Sequence, residues 1–272
     1  ITDLPLVVFG DHSCTFKYID FRFVRGADGT QLLKVNEEEI LSKFLYYLLQ
    51  TVQINNSDKY ERHFKYLKNA QIPILPMELQ KIIVNECQQI DIESQKAVEK
   101  IRMLQERIEM ILSEVKGDKT ALETIAPYST ARIAYSKIKP NSYISTDNLL
   151  QNYDGVAPYE GIPNIDSIIE YHKGDILVSN IRPYLKKIWY ADRSGGCSPD
   201  VLVFRPKSDC DSKYIYYSMR RQAFFDWAMQ DIKGMKMPRG KRDNIIRFSI
   251  ILPQLSEQKS IAAKIQEIEN EI

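Results

Sequence analysis

SKFLYYLL, Ser42 to Leu49, and SKYIYYSM, Ser212 to Met219, are two versions of one phrase. Four of the eight positions are identical, and three others exchange one apolar or aromatic residue for another. Each version reads as a short helix with one apolar face. At the same offset, FVRGADGTQLLKV (Phe23 to Val35) lies over RSGGCSPDVLVFR (Arg193 to Arg205). Both are Gly-containing turns that run into a short apolar strand. Further upstream LVVFGDH (6–12) faces ILVSNIR (176–182), again strand-like. Downstream, IPILPMELQKII (Ile72 to Ile83) answers SIILPQLSEQKSI (Ser249 to Ile261), where a strand ends in Leu-Pro and a Gln-Lys opens a helix. Any one of these likenesses is ordinary among amphipathic segments. The same pieces in the same order make an internal repeat.

The segments after each repeat carry a heptad seam. Ile83, Cys87, Ile90, Ser94, Ala97, Ile101, Leu104, Ile108, Ile111 and Val115 step by four and three without a break. Ile261, Ile265, Ile268 and Ile272 begin the same pattern. Two matching seams predict a helix-on-helix pair, with Ile83, Ile90, Ile101, Leu104, Ile108, Ile111, Val115, Ile261, Ile265 and Ile268 as the pairing residues. A helix from Lys81 to Val115 would be about 52 Å long, more than a compact domain needs. The expected organisation is therefore a partial globular unit at 1–77, a spacer helix at 78–116, a fuller unit at 117–254, and the start of a second spacer at 255–272. The first unit has no counterpart to roughly Lys119–Tyr171 of the second, as though it began inside a domain. The fold class is mixed α+β.

Charge is concentrated rather than abundant. The chain has 272 residues, a formal net charge of +1, 44% hydrophobic and 27% charged residues, as expected of an ordered globular protein. Between Asp231 and Arg247, however, Lys233, Lys236, Arg239, Lys241, Arg242 and Arg247 face only Asp231 and Asp243, in a Gly- and Pro-broken loop. The matching piece of the first repeat is KYERHFK, in which Lys59, Arg62 and Lys65 fall opposite Lys236, Arg239 and Arg242. The spacer between them carries eight acidic residues against five basic ones. A lone basic run is usually a solvated face. One that recurs at the same place in two repeats points to nucleic acid, because Lys and Arg attract phosphates and Arg can also grip guanine. Arg182, Lys186 and Lys187 in NIRPYLKK form a second cluster, equally readable as a solvated turn.

Enzyme chemistry finds little support. Cys14, Cys87, Cys197 and Cys210 are scattered, with no C-x-x-C pair, and His12, His63 and His172 lack metal-ligand spacing to them. NIRPY has one residue too many for the Asn-Pro-Pro-Tyr loop of base methyltransferases and no Gly-rich cofactor loop beside it. Pro199-Asp200 is not followed by the Glu-x-Lys of a nuclease motif, and no phosphate loop is present. No catalytic residue, metal or cofactor is expected. No apolar run approaches the roughly 20 residues that span a bilayer, and no leader pattern opens the chain. The expected location is the cytoplasm.

YERHFKYLKNAQIPILP and IILPQLSEQKSIAAKI resemble domain-to-helix junctions of the specificity subunits of Type I restriction–modification systems. GDILVSNIRPYLKKI, GGCSPDVLVFRP and GMKMPRGKRDNI resemble pieces of the target recognition domains of that family, and VVFGDHSCTFKYIDFRFVRGADGTQLL fits a divergent copy. The resemblance implies two recognition domains of mixed strands and helices joined by long antiparallel, coiled-coil-like spacer helices. It further implies a non-catalytic chain that reads a bipartite site on double-stranded DNA and scaffolds methylation subunits, which bring S-adenosylmethionine, and a restriction motor subunit. On this reading the phrase recurs because the target is read twice. The recognition tail of a fused Type IIG enzyme and a coiled-coil protein adaptor are the alternatives. The expected DNA contacts are Lys233, Lys236, Arg239, Lys241 and Arg242, with Lys59, Arg62 and Lys65, and with Arg182, Lys186 and Lys187.

Overall fold

The computed structural model describes residues 1, 3–26, 29–53, 62–159, 166–230, 232 and 237–271. They form two compact units, Ile1–Glu99 and Lys100–Ile272. Both mix strands and helices, as expected.

In the first unit, β1 (Leu6–Gly10), β2 (Thr15–Ile19) and β3 (Thr30–Leu33) form an antiparallel sheet in the order β2-β1-β3. Helix α1 (Ser42–Gln50) and the one-turn α2 (Phe64–Leu67) follow, and then α3 (Met77–Ser113) begins. Val7 and Phe9 point to one face and meet Phe44, Leu45 and Leu49 of α1 and Leu67 of α2 in a single core. Val8, one step along the strand, turns to the other face and stays half-buried.

The second unit runs β4 (Asp118–Ala121), α4 (Leu122–Ile125), β5 (Arg132–Ala134), β6 (Tyr143–Ile144), β7 (Ser167–Tyr171), β8 (Ile176–Ser179) and β9 (Ile188–Tyr190). It continues with β10 (Gly195–Cys197), β11 (Val201–Phe204), α5 (Ser212–Met219), α6 (Gln222–Ala228), α7 (Arg242–Ile245), β12 (Ser249–Leu252) and α8 (Leu255–Glu269). The central antiparallel sheet has the order β11-β8-β9, matching β3-β1-β2. Its period of two separates two cores. Ile176, Val178, Leu202 and Phe204 pack with α5, α6 and α8 on one face, and Leu177, Val201, Val203 and Trp189 pack with Tyr171 and Cys197 on the other.

The repeated phrase proves to be a helix-docking joint. The buried Gln80 of α3 donates to Glu39 O at 2.8 Å and Leu75 O at 2.7 Å, and accepts from Leu41 N at 2.8 Å. Gln258 of α8 donates to Pro253 O and accepts from Asp211 N, both at 2.8 Å. Leu41 and Asp211 immediately precede α1 and α5, so each glutamine locks the start of the phrase helix and the Leu-Pro segment, a strand only in the second unit, to the following helix. About three turns farther along α3 and α8, Tyr47 donates to Asp91 at 2.6 Å, and Tyr217 donates to Glu269 at 2.8 Å. The phrase is therefore part of a joint built once in each unit.

The single offset between the repeats is corrected by one residue in β1/β8 and β3/β11 and by two residues in β2/β9. The core-facing residues that match are Val7 with Ile176, Phe9 with Val178, Leu33 with Phe204, and Tyr18 with Tyr190. A one-residue slip would turn every side chain to the wrong face. The pairing distances agree, since Tyr18 meets Tyr46 at 6.2 Å between ring centroids and Tyr190 meets Tyr216 at 5.6 Å.

Helix α3 has 37 residues, a length of about 55 Å. Within the second unit its last turns lie antiparallel to α8. Lys100 Nζ donates to Glu271 O at 2.6 Å, and Ile108, Ile111, Leu112 and Val115 share a core with Ile261 and Ile265. Leu104 and Ile268 are buried and Ile101 is half-buried. In the first unit Ile83 packs on the core of that unit. Ile90 departs from the pairing expectation, with 64% of its surface exposed. No strand or helix of the first unit covers that turn of α3 among the described residues.

Candidate nucleic-acid interface

The loop before α7 is stitched onto the end of β8. Gly240 N donates to Asn180 O at 2.9 Å, Arg182 N donates to Pro238 O at 2.8 Å, and Ile181 and Arg239 form an antiparallel bridge between them. A Cβ at Gly240 would lie 2.9 Å from Ile245 Cδ1 and 3.1 Å from Ala228 O, so a larger residue would require these neighbours to shift. Helix α7 is then fastened to α6 by a reciprocal pair: Trp227 Nε1 donates to Asn244 O at 2.8 Å and Asn244 Nδ2 donates to Trp227 O at 3.0 Å. Ile245 is fully buried beneath. With one side of α7 fixed inward, Arg242 faces outward.

This stitching brings two distant stretches together. The backbone of Arg182 meets the loop at Pro238, and Lys241 and Arg242 follow on that loop; the Arg182 Nε itself is buried without a hydrogen-bond partner among the described residues. A cleft of about 560 Å³ opens among Tyr128, Asn180, Pro199, Lys241, Arg242 and Arg247. Arg242 lies with its guanidinium 5.5 Å from the Tyr128 ring centroid, and its Nε is 3.2 Å from Asp243. Burial raises the Tyr128 phenol above its ordinary pKa although Arg242 pulls the other way. Arg239 pairs with Asp200 at 3.0 Å. Asn180 Oδ1 is buried without a hydrogen-bond partner among the described residues. The lining is cationic and polar, with Asp243 as the one acidic side chain in it.

Arg247, Tyr128, Asn180 and Asp200 were not singled out by the sequence as site residues. Arg247 was visible in the basic run; the other three come from other strands and loops and became neighbours only through the fold. The two lysines of NIRPYLKK leave the site. Lys187 is half-buried and donates to Thr146 O at 2.6 Å, and burial lowers its pKa from the ordinary lysine value. Lys186 lines a separate pocket with Tyr153, Glu109 and Arg220. Both are tied into the fold of the second unit. Lys233, Lys236 and Lys59 lie outside the described residues.

In the first unit Arg62 and Lys65 are exposed, with Lys65 Nζ 4.7 Å from the Tyr66 ring centroid. Arg62 keeps its match with Arg239, because the next residue bonds alike in both units: His63 N to Asp11 O at 3.2 Å, and Gly240 N to Asn180 O. Lys65 does not keep its match with Arg242. Leu67 and Ile245 are the buried ends of α2 and α7, and aligning them sets Lys65 against Asp243. The extra residue in the first copy falls between this helix and the Leu-Pro strand.

Residues 125–272 match the family model described as the Type I restriction modification DNA specificity domain. The chain belongs to that family. The Escherichia coli Type I restriction enzyme EcoDI specificity subunit is 28% identical over 134 residues, which is 47% of this chain and 30% of that protein. The matched stretch thus spans less than a third of that relative. The S subunit of the Type-I restriction-modification system of M. genitalium superposes on 99% of this chain and 78% of its own, with a TM-score of 0.53 at 15% identity, a likeness of fold. The HsdS subunit of Thermoanaerobacter tengcongensis covers 98% and 73%, with a TM-score of 0.45 at 15% identity. Among the described residues of this specificity-domain protein, no group of His, Cys, Asp and Glu is arranged to hold a metal ion. Nor is any described helix long and apolar enough to cross a membrane.

Proposed function

We propose that the chain reads duplex DNA as the recognition component of a Type I restriction–modification complex, without catalysing a reaction itself. The observation behind this reading is the convergence of Lys241, Arg242 and Arg247 around one cleft, on a loop whose preceding residues are stitched by backbone bonds to the distant stretch of Asn180 and Arg182. Cations gathered in this way attract phosphates and release condensed counterions, and a planar guanidinium can read a base edge in the major groove. Arg62, which matches Arg239, together with the nearby Lys65 and Lys59, would serve the other half of a bipartite site. Methylation subunits carrying S-adenosylmethionine and a motor subunit are the protein partners on this reading, in the cytoplasm. The apolar side chains exposed on α3, Ile90 and Val98 among them, favour a helix that receives protein as well.

The test is a salt titration of binding to duplex DNA between 50 and 200 mM, conditions over which phosphate contacts dominate. Replacing Lys241 and Arg242 together with Ala removes two phosphate contacts, so the slope of log K against log salt should become shallower by about 1.8. An unaltered slope would remove this cleft from the interface.

A further inference from the structure

The cations in and beside the cleft are not equivalent, and the difference assigns them separate tasks. Lys241, Arg242 and Arg247 line open space, and their charge is offset by Asp243 alone. Arg239 is held at both ends. Its backbone is bridged to Ile181, and its guanidinium sits 3.0 Å from the carboxylate of Asp200, the only side-chain partner it has among the described residues. Asp200 is itself fixed, since its carbonyl accepts from Asn180 N at 2.8 Å and its side chain is two-thirds buried. Even so, the Arg239 side chain is 59% exposed. A carboxylate this close repels a phosphate and cancels much of the attraction that Arg239 would offer one. It leaves the planar fork in place, pre-set in orientation, with donors still free. That is poor chemistry for gripping the DNA backbone. It suits a bidentate bond to the O6 and N7 of a guanine.

Resting on the DNA-reading function above, we propose that Arg239, positioned by Asp200, reads one guanine of the target, while Lys241, Arg242 and Arg247 hold phosphates. Arg239 is a specificity residue on this assignment and Asp200 a positioning residue.

The experiment is selection of bound duplexes from a randomised DNA pool by the full chain, followed by affinities on the enriched sequence and on each single-base variant of it. The wild type should enrich a sequence containing a G·C pair whose replacement weakens binding roughly 10- to 100-fold. Arg239→Ala and Arg239→Lys should both lose that preference at the one position and keep it at the others. Arg239→Lys should leave the salt slope unchanged, because charge is retained. Asp200→Ala is the sharper variant. It should blunt the same preference while affinity for random duplex holds or rises, since a negative charge leaves the interface; a merely structural role for Asp200 would lower both. If the wild type enriches nothing, the DNA-reading function itself fails. If it enriches a sequence that Arg239→Ala still selects unchanged, the function stands and this assignment is wrong.

Discussion

In the first unit Asp11 places a carboxylate oxygen 2.8 Å from the Phe64 amide and closes the start of α2; in the second, Asn180 stands at the same place and leaves its Oδ1 unpaired beside an open cleft. The backbone frame around the two is the same. Asp11 N bonds Gly29 O at 2.8 Å as Asn180 N bonds Asp200 O, and the following loop returns to the Asp11 and Asn180 carbonyls in both. The side chains on the frame differ. Where Arg239 has the carboxylate of Asp200 beside it, the position matching Asp200 in the first unit is Gly29, which offers Arg62 no carboxylate. A common scaffold can thus carry a closed, acid-capped turn or an open cationic cleft by changing the side chains set on it, which is what separates a frame from its site.

The comparison can be strained at the frame first, where the effects are largest. Ile265 is fully buried between α8 and the end of α3, and Ile90 occupies an exposed turn of the same heptad seam. Ile265→Ala should cost the second unit about 3 kcal/mol, the usual loss for emptying a buried aliphatic site, whereas Ile90→Ala should stay within about 0.5 kcal/mol. Urea denaturation followed on each variant measures both. A comparable loss from both variants would mean that Ile90 is buried in solution and the two halves of the seam are alike after all. Next come the glutamine clamps. Gln258→Leu strands Asp211 N and Pro253 O, and Gln80→Leu strands Leu41 N, Glu39 O and Leu75 O. Each should cost about 2 kcal/mol, because the abandoned backbone groups stay away from water. Unequal midpoint shifts in the two variants would break the equivalence of the joints.

How far these joints were legible in the sequence depends on how local their signals are. The repeat order, the long helix and the Gln-Lys helix starts are carried by neighbouring residues, and α3 runs Met77–Ser113 where the heptad seam places a helix. The strand offset was read one residue out. In β8 and β11 both faces are buried, so ILVS and VLVF show no alternation that would tell one face from the other. The same limit applies to the site. Arg239, Lys241 and Arg242 stand close together in the chain and could be nominated as a cluster. Lys187 was nominated on the same grounds, yet its ammonium turns inward to Thr146, because a charge count says nothing about which way a side chain points. Tyr128, Asn180 and Asp200 join the cleft through the bridge of Ile181 to Arg239, a pairing between residues far apart in sequence and without a local pattern.

The smallest effect lies at the tyrosines of the repeated phrase and tests how alike the two joints are. Both phenols are raised above their ordinary pKa, first by burial and then by the acid each bonds, so both remain donors through neutral pH. Tyr217 is almost wholly buried, and its acceptor Glu269 also pairs with Arg220, which stacks on Tyr216 and Tyr153. Tyr47 is half-buried, and its acceptor Asp91 is exposed. Tyr217→Phe should therefore cost about 1 kcal/mol by removing a donor from a charged acceptor that water reaches poorly. Tyr47→Phe should cost under about 0.5 kcal/mol, since water can replace the lost donor at Asp91. The same substitution in the same phrase should differ because only one of the two acids belongs to a network with an arginine. Equal losses at the two sites would show that the hydroxyl bond matters alone and that the Arg220 network adds nothing to the joint.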